Sequence, residues 1–315
     1  MSGNQALNVN SNVFRQANLA ITNRGSDWYF TVCAIMGAST LTFVALALTK
    51  PRAHRIFHYI TAGITFVACI AYFTMGSNLG QVPIQAEFVR PYSSQVFAAG
   101  TREIFYVRYI DWVITTPLLL LDLTLTAGLP AQSILITIFA DEIMIVCGLV
   151  GALIQTTYKW AYWTFGMFAL FFVTYMLCWE GRHSAAALGG DVHRTYLTCG
   201  VILLFMWFLY PIAWGLAEGG NVIHPDSEAI FYGILDIISK VLFGSLLIYG
   251  HSKIDPAVLG MHIRDPGDPP KPSVAGVSNG VSNGHTMVEN GHGHHANGNP
   301  AAYPATSTAP GMTPA

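Results

Sequence analysis

The feature that most constrains this chain is a set of seven stretches, each of about twenty residues, that are almost free of charge. They cover residues 28–48, 56–75, 104–126, 131–154, 160–179, 195–216 and 230–249. A helix rises about 1.5 Å per residue, so about twenty residues cross a hydrocarbon layer of about 30 Å. Backbone groups in lipid must be satisfied within the segment or in a closed barrel. The economical reading is an all-α membrane protein, a bundle of seven transmembrane helices.

Composition agrees. Charged residues make up 10% of the 315 residues and hydrophobic ones 52%, whereas a soluble protein carries about 25% charge. A soluble enzyme is excluded, and the absence of a basic stripe argues against a nucleic-acid partner. Cys33, Cys69, Cys147, Cys178 and Cys199 are scattered singly, without the spacing of a disulfide scaffold or a metal site.

Most connections are short, which makes consecutive helices antiparallel neighbours. The exception, 76–100, is long enough for a hairpin. Lys50, Arg52, Arg55, Arg182, Arg194 and Lys253 fall on one side, with Arg182 and Arg194 read as lying in the fifth loop; Arg15, Arg24, Arg90, Arg102 and Lys159 fall on the other. The tight cluster in the first loop favours an outside N-terminus and a cytoplasmic C-terminus. Residues 1–26 are polar, without the apolar core of a secretory signal, and are expected to be exposed outside the membrane. Residues 27–252 form the bundle. Residues 253–315 turn to Gly, Pro, Ser, Asn and His, with the near-repeat GVSNGVSNGH at 276–285, and are expected to be a disordered cytoplasmic tail. Its His285, His292, His294 and His295 are read as solvated, with no metal assigned.

The remaining charges are concentrated. The first, fifth and sixth spans hold none and the second only His58, whereas the third, fourth and seventh hold Arg108, Asp111, Asp122, Asp141, Glu142, Asp236 and Lys240. Each costs about 2.5–3.5 kcal/mol at mid-membrane unless paired, neutralised or hydrated. Asp111 and Asp122 are eleven residues apart, which places both carboxyls on one helix face with a rise of about 16 Å between them. Arg108 precedes Asp111 by one turn, and Asp236 and Lys240 form an i,i+4 pair. A mid-membrane lysine among carboxylates is either a buried ion pair or the amine that condenses with a carbonyl as a Schiff base. Trp112, Trp207, Tyr210 and Trp214 supply aromatic surface around it, a stripe that packing alone also explains.

Three segments carry a resemblance: RYIDWVITTPLLLLD at 108–122, WFLYPIAW at 207–214 and LDIISK at 235–240. The chain resembles the microbial (type I) rhodopsins, including bacteriorhodopsin, and within them the fungal proton-pumping branch. The likeness covers residues 27–252. It implies all-trans retinal attached to Lys240 as a protonated Schiff base, with Asp111 as primary counterion and proton acceptor and Asp236 as second counterion. Asp122 matches the cytoplasmic donor, held protonated beside Thr61, and Asp111, Thr115 and Asp122 read as the triplet of outward proton pumps. Arg108 matches the arginine that couples the counterion to release, and Glu228 and Glu218 match the release carboxylates. The retinal site is expected to comprise Tyr72, Trp112, Thr116, Leu119, Met144, Trp163, Trp207, Tyr210 and Trp214, with Asp236 and Lys240. Two departures stand out: the spacing from Trp214 to Glu218 is one residue shorter than in bacteriorhodopsin, and Glu142 stands where bacteriorhodopsin has glycine.

The function so implied is a light-driven ion transporter rather than an enzyme. It would carry protons outward through a lipid bilayer, in the plasma membrane and as a homo-oligomer, with no nucleic acid involved. The competing reading is a slow-cycling retinal photosensor that signals through its tail or an unidentified partner. A carboxyl at Asp122 favours the pump, because it permits fast reprotonation. A retinal-free seven-helix protein is disfavoured by Lys240.

Overall fold

In a computed structural model, residues 4–10, 17–88, 91–92, 95–96 and 100–261 are described; the His-rich and Gly-rich stretch of the expected tail lies outside them. The apolar segments form seven helices long enough to span a membrane: α1 (Asn23–Leu48), α2 (Ile56–Gly76), α3 (Tyr106–Thr126), α4 (Ala131–Leu153), α5 (Lys159–Leu188), α6 (Gly190–Gly219) and α7 (Pro225–His251). Consecutive helices pack on one another, and α7 closes the ring against α1 and α6. The bundle turns Leu41, Phe66, Phe139, Phe168 and Phe205 outward while it buries Arg108, Asp111, Asp122, Asp236 and Lys240. That polarity is the inverse of a soluble protein's and is what a hydrocarbon solvent selects.

Helices α1, α5, α6 and α7 extend beyond the apolar runs, whereas α3 begins two residues late because Ile104 belongs to a strand. Local chemistry that hydropathy ignores sets the helix ends: Thr22 caps α1, its hydroxyl accepting from the Arg24 N–H at 3.2 Å, and Pro225 occupies the first turn of α7 behind His224. The expected fifth loop is almost absent. Arg182 lies on α5 and Arg194 on α6, and the turn between the helices is made at Gly189, whose φ of 125° suits glycine alone. Charged residues past the apolar core continue these helices into the polar zone.

The long second connection forms the expected hairpin. Strands β1 (Val82–Gln85) and β4 (Thr101–Ile104) pair antiparallel with Val82 opposite Ile104, around a smaller pair, β2 (Pro91–Tyr92) and β3 (Gln95–Val96). The N-terminal segment, expected to be exposed, is partly packed onto this hairpin. Leu19 N donates to the Thr101 carbonyl and Glu103 N to the Leu19 carbonyl, each at 2.9 Å, and Leu19 and Ile21 are buried. Thr22 also ties the start of α1 to the start of α7, donating through N and Oγ1 to the two Asp226 carboxylate oxygens at 2.8 and 2.6 Å.

Two irregularities in the helices position the centre of the bundle. Pro211 in α6 has no N–H to give, so the carbonyl of Trp207 loses its helical partner. In α7, residues Ile237–Leu242 form a wide, π-type turn that contains Ser239 and Lys240, both buried. One turn later, Gly244 lets α7 approach α2 closely, since a Cβ there would overlap Thr61 Cγ2.

Candidate functional site

Lys240 Nζ lies at the junction of a carboxylate pair and an aromatic cavity. It stands 2.8 Å from Asp236 Oδ1 and 3.2 Å from Asp111 Oδ2. Asp236 is further held by Tyr210, whose hydroxyl donates to Oδ1 at 2.5 Å, and by Tyr72, which donates to Oδ2 at 2.7 Å. Asp111 is less constrained: its Oδ1 has no partner among the described residues. Thr115 bonds through Oγ1 to the Asp111 backbone carbonyl at 2.9 Å, which also sets its hydroxyl beside the carboxylate. Two buried anions beside one cation make each proton's position depend on the others.

The cavity runs from Lys240 between α3, α4, α5 and α6, and its walls include Trp112, Leu119, Met144, Trp163, Trp207 and Trp214. Trp163 Nε1 donates to the Pro211 carbonyl and Trp214 Nε1 to the Gly148 carbonyl, each at 3.1 Å, which fixes both rings. Thr116, also on the wall, places Oγ1 2.7 Å from Asp141 Oδ2 and 2.8 Å from the Trp112 carbonyl. Of the residues expected around the cofactor, Tyr72 and Asp236 are not on this wall; they bond to each other beside Lys240. Polar atoms lie at the lysine end and beside Thr116, and elsewhere the slot is apolar. It therefore fits a long conjugated hydrocarbon carrying one aldehyde, which is the chemistry of retinal.

Beyond Asp111, toward the hairpin, stands a second ionic cluster. Arg108 Nη1 lies 2.6 Å from Glu228 Oε1 and 3.2 Å from Glu218 Oε1, Nη2 donates to Tyr29 Oη at 2.9 Å, and the guanidinium covers the Tyr232 ring at 4.2 Å. Glu218 thus meets Glu228 despite its altered spacing, with Tyr109 and Tyr232 each donating to it at 3.1 Å. The sequence reading had passed over Arg102 here. Its Nη2 sits 2.5 Å from Glu228 Oε2, and its Nη1 donates at 2.7 Å to Asn221 Oδ1 and to the Ile223 carbonyl. Next to it on β4, Glu103 Oε2 accepts from the Ile21 N–H at 2.9 Å, and burial pushes this carboxyl up to about 7. Tyr29, Tyr109 and Tyr232 were also unforeseen, because aromatic residues in an apolar span carry no signal separating a polar contact from packing.

On the opposite side of Lys240, Asp122 is fully buried. Thr61 Oγ1 donates to its Oδ2 at 3.1 Å, as expected, and its Oδ1 has no partner among the described residues. Glu142 stays half-buried on α4, close enough to Asp141 to act on it. Among the described residues no cluster of His, Cys, Asp and Glu is arranged to hold a metal ion.

Comparison with known proteins gives the same arrangement a family setting. The model of the family described as bacteriorhodopsin-like protein matches residues 24–254. The opsin-like protein carO of Fusarium fujikuroi is 55% identical over 90% of this chain and 91% of its own length. Among solved structures, the light-driven proton pump LR (Mac) of Leptosphaeria maculans is 34% identical, with a TM-score of 0.71 over 75% of this chain and 99% of its own. The light-driven proton pump rhodopsin of Coccomyxa subellipsoidea is 37% identical, with a TM-score of 0.69 over 73% of this chain and 98% of its own.

Proposed function

The chain belongs to the bacteriorhodopsin-like family of microbial rhodopsins, and on that premise we propose that it is a light-driven pump that moves protons outward. The observation that carries the reading is the place of Lys240 Nζ, between two carboxylates and at the end of an apolar aromatic slot. When bound there through Lys240, all-trans retinal supplies light absorption and an isomerisation that reorients the Nζ proton. Every other step belongs to the protein's own groups.

In the dark, Asp111 and Asp236 stabilise the positive charge at Nζ. Asp236 is pinned by Tyr72 and Tyr210, so the proton leaving Nζ goes to Asp111, whose second oxygen is unencumbered. Neutralising Asp111 removes a negative charge one helical turn from Arg108, and the guanidinium, already on Glu218 and Glu228, then bears more strongly on them. A cation acting more strongly on that cluster favours loss of a proton from it, on the hairpin side. Nζ is refilled from Asp122, the carboxyl on the far side. Pro211 weakens α6 beside the cavity and gives that helix a point about which the Asp122 side opens. One elementary charge crosses per cycle, against about 2.3 kcal/mol per 100 mV of opposing potential.

In this reading the hairpin side faces outward, the Asp122 side faces the cytoplasm, and the host is the plasma membrane. The test is Asp111→Asn in vesicles with retinal: the variant should stay coloured, with its absorption shifted, and should move no protons. Outward transport at the wild-type rate would reject Asp111 as acceptor, and a coloured parent protein that moves no protons outward would reject the pump.

A further inference from the structure

Two buried imidazoles on the Asp122 side take no part in the steps above. His58 on α2 stands three residues before Thr61, one turn nearer the helix end on the same face. His251 ends α7, and its Nε2 lies 2.8 Å from Oγ1 of Thr126, which stands four residues beyond Asp122 on α3. The two helices that frame the Asp122 carboxyl thus each lead, one turn outward, to a histidine.

Both rings are enclosed. His58 is 4% exposed, and neither of its ring nitrogens has a hydrogen-bond partner among the described residues. His251 is 8% exposed and stacks on Phe57 of α2, with ring centroids 3.7 Å apart and planes inclined by 22°. The two imidazoles are close enough to act on one another, and Lys50 and His54 act on His58 from the first loop.

The hydrogen positions follow from the bonding. Thr126 Oγ1 lies 2.7 Å from the Asp122 backbone carbonyl, which can only accept. The single hydroxyl hydrogen goes there, so His251 must donate from Nε2. That leaves Nδ1 as the atom that gains a proton when the ring becomes cationic. Leu123, Phe243 and Leu247 belong to the buried apolar cluster at this end of the bundle, and the Cys199 thiol, also in that cluster, is close enough to act on Asp122.

We propose that His251, with His58 beside it, is the proton-collecting site that refills Asp122 from the cytoplasm; this rests on the pump reading above. After Asp122 has given its proton to Lys240 Nζ, neutral His251 takes a proton at Nδ1 from cytoplasmic water by way of His58. The cation then loses one N–H proton and an O–H bond forms at Asp122 Oδ1. Thr126, the residue His251 touches, stands one helical turn, about 5–6 Å, from Asp122, beyond hydrogen-bond length, so water carries the proton across.

The experiment is flash spectroscopy on the full chain with retinal, comparing His58→Asn/His251→Asn with the parent. Asparagine at 251 keeps an N–H donor for Thr126 but does not carry a proton. The double variant should keep its colour and return the proton to Nζ within twofold of the parent rate, because Asp122 supplies that proton. Uptake from the bulk, read with a pH-indicating dye, and recovery of the Asp122 carboxyl infrared band should both slow at least tenfold, and added imidazole should restore them. Uptake at the parent rate, or slowed uptake that imidazole leaves unchanged, would overturn the proposal. On the unmodified chain, transient bands of a charged histidine ring should appear after Nζ is refilled and fade as uptake ends; their absence would overturn it independently of any variant. Failure of the pump reading looks different, since Asp122→Asn would then leave the refilling of Nζ unchanged.

Discussion

Arg102 Nη2 lies 2.5 Å from Glu228 Oε2, and both side chains are 2% exposed. Because Arg108 holds the other oxygen of the same carboxylate at 2.6 Å, one buried anion joins the hairpin to α3 one turn before Asp111. Removing one partner from a buried pair costs about 3–5 kcal/mol; the surviving contact to Arg108 places Arg102→Gln at the lower end, about 3 kcal/mol. Thermal bleaching of the retinal-bound variant should occur at a clearly lower temperature, with outward proton release mistimed against Nζ deprotonation. An unchanged melting temperature would show that Arg102 contributes nothing to this cluster.

Asp122→Asn removes the fully buried carboxyl that Thr61 holds on this side of Lys240. Flash absorbance should show the proton returning to Nζ about 10²–10⁴ times more slowly, the range for loss of a positioned proton-transfer group. Azide, a small diffusible acid, should restore much of the rate. Unaltered return would remove Asp122 from the pathway.

Glu103 makes stability depend on pH with a definite sign. Its carboxyl titrates at about 7 in the folded chain against 4.5 for an ordinary glutamate. Between those values the folded state holds the extra proton, so stability is highest below about pH 4.5 and falls as pH rises through 7. The full effect of this one group is about 3 kcal/mol. Glu103→Gln keeps the oxygen that accepts from Ile21 and should flatten the fall in melting temperature between pH 5 and 8, roughly the titration window. Equal slopes in the two proteins would refute this origin.

Lys240→Ala should abolish visible absorption in a preparation supplied with all-trans retinal, while the helical circular dichroism persists. A visible pigment in that variant would place the attachment elsewhere.

The bundle was legible because hydrocarbon forbids unsatisfied backbone and charge, so span count and the charged positions both stand out in one sequence. The i,i+4 relation of Asp236 and Lys240 and the shared face of Asp111 and Asp122 follow from helix geometry alone, whereas the roles of Trp112, Trp207 and Thr61 came from resemblance. Helix ends were less legible, since Arg182 and Arg194 mark where the hydrocarbon stops and not where hydrogen bonding does. Arg102 and Glu103 were hidden for a different reason. They lie on a short strand, and their burial depends on Leu19, Asn221 and Glu228, which are far away in sequence. His251 lies just past the last apolar span, where hydropathy carries no signal, and its contact with Thr126 links residues 125 positions apart.

The most direct test of the central claim is the pH of an unbuffered suspension of intact cells that express the chain with retinal, recorded under green light with and without a protonophore. Outward pumping requires the medium to acidify on illumination, to recover in the dark, and to show no change once the protonophore is present. A coloured protein that leaves the pH unchanged, or that alkalinises the medium, would contradict it.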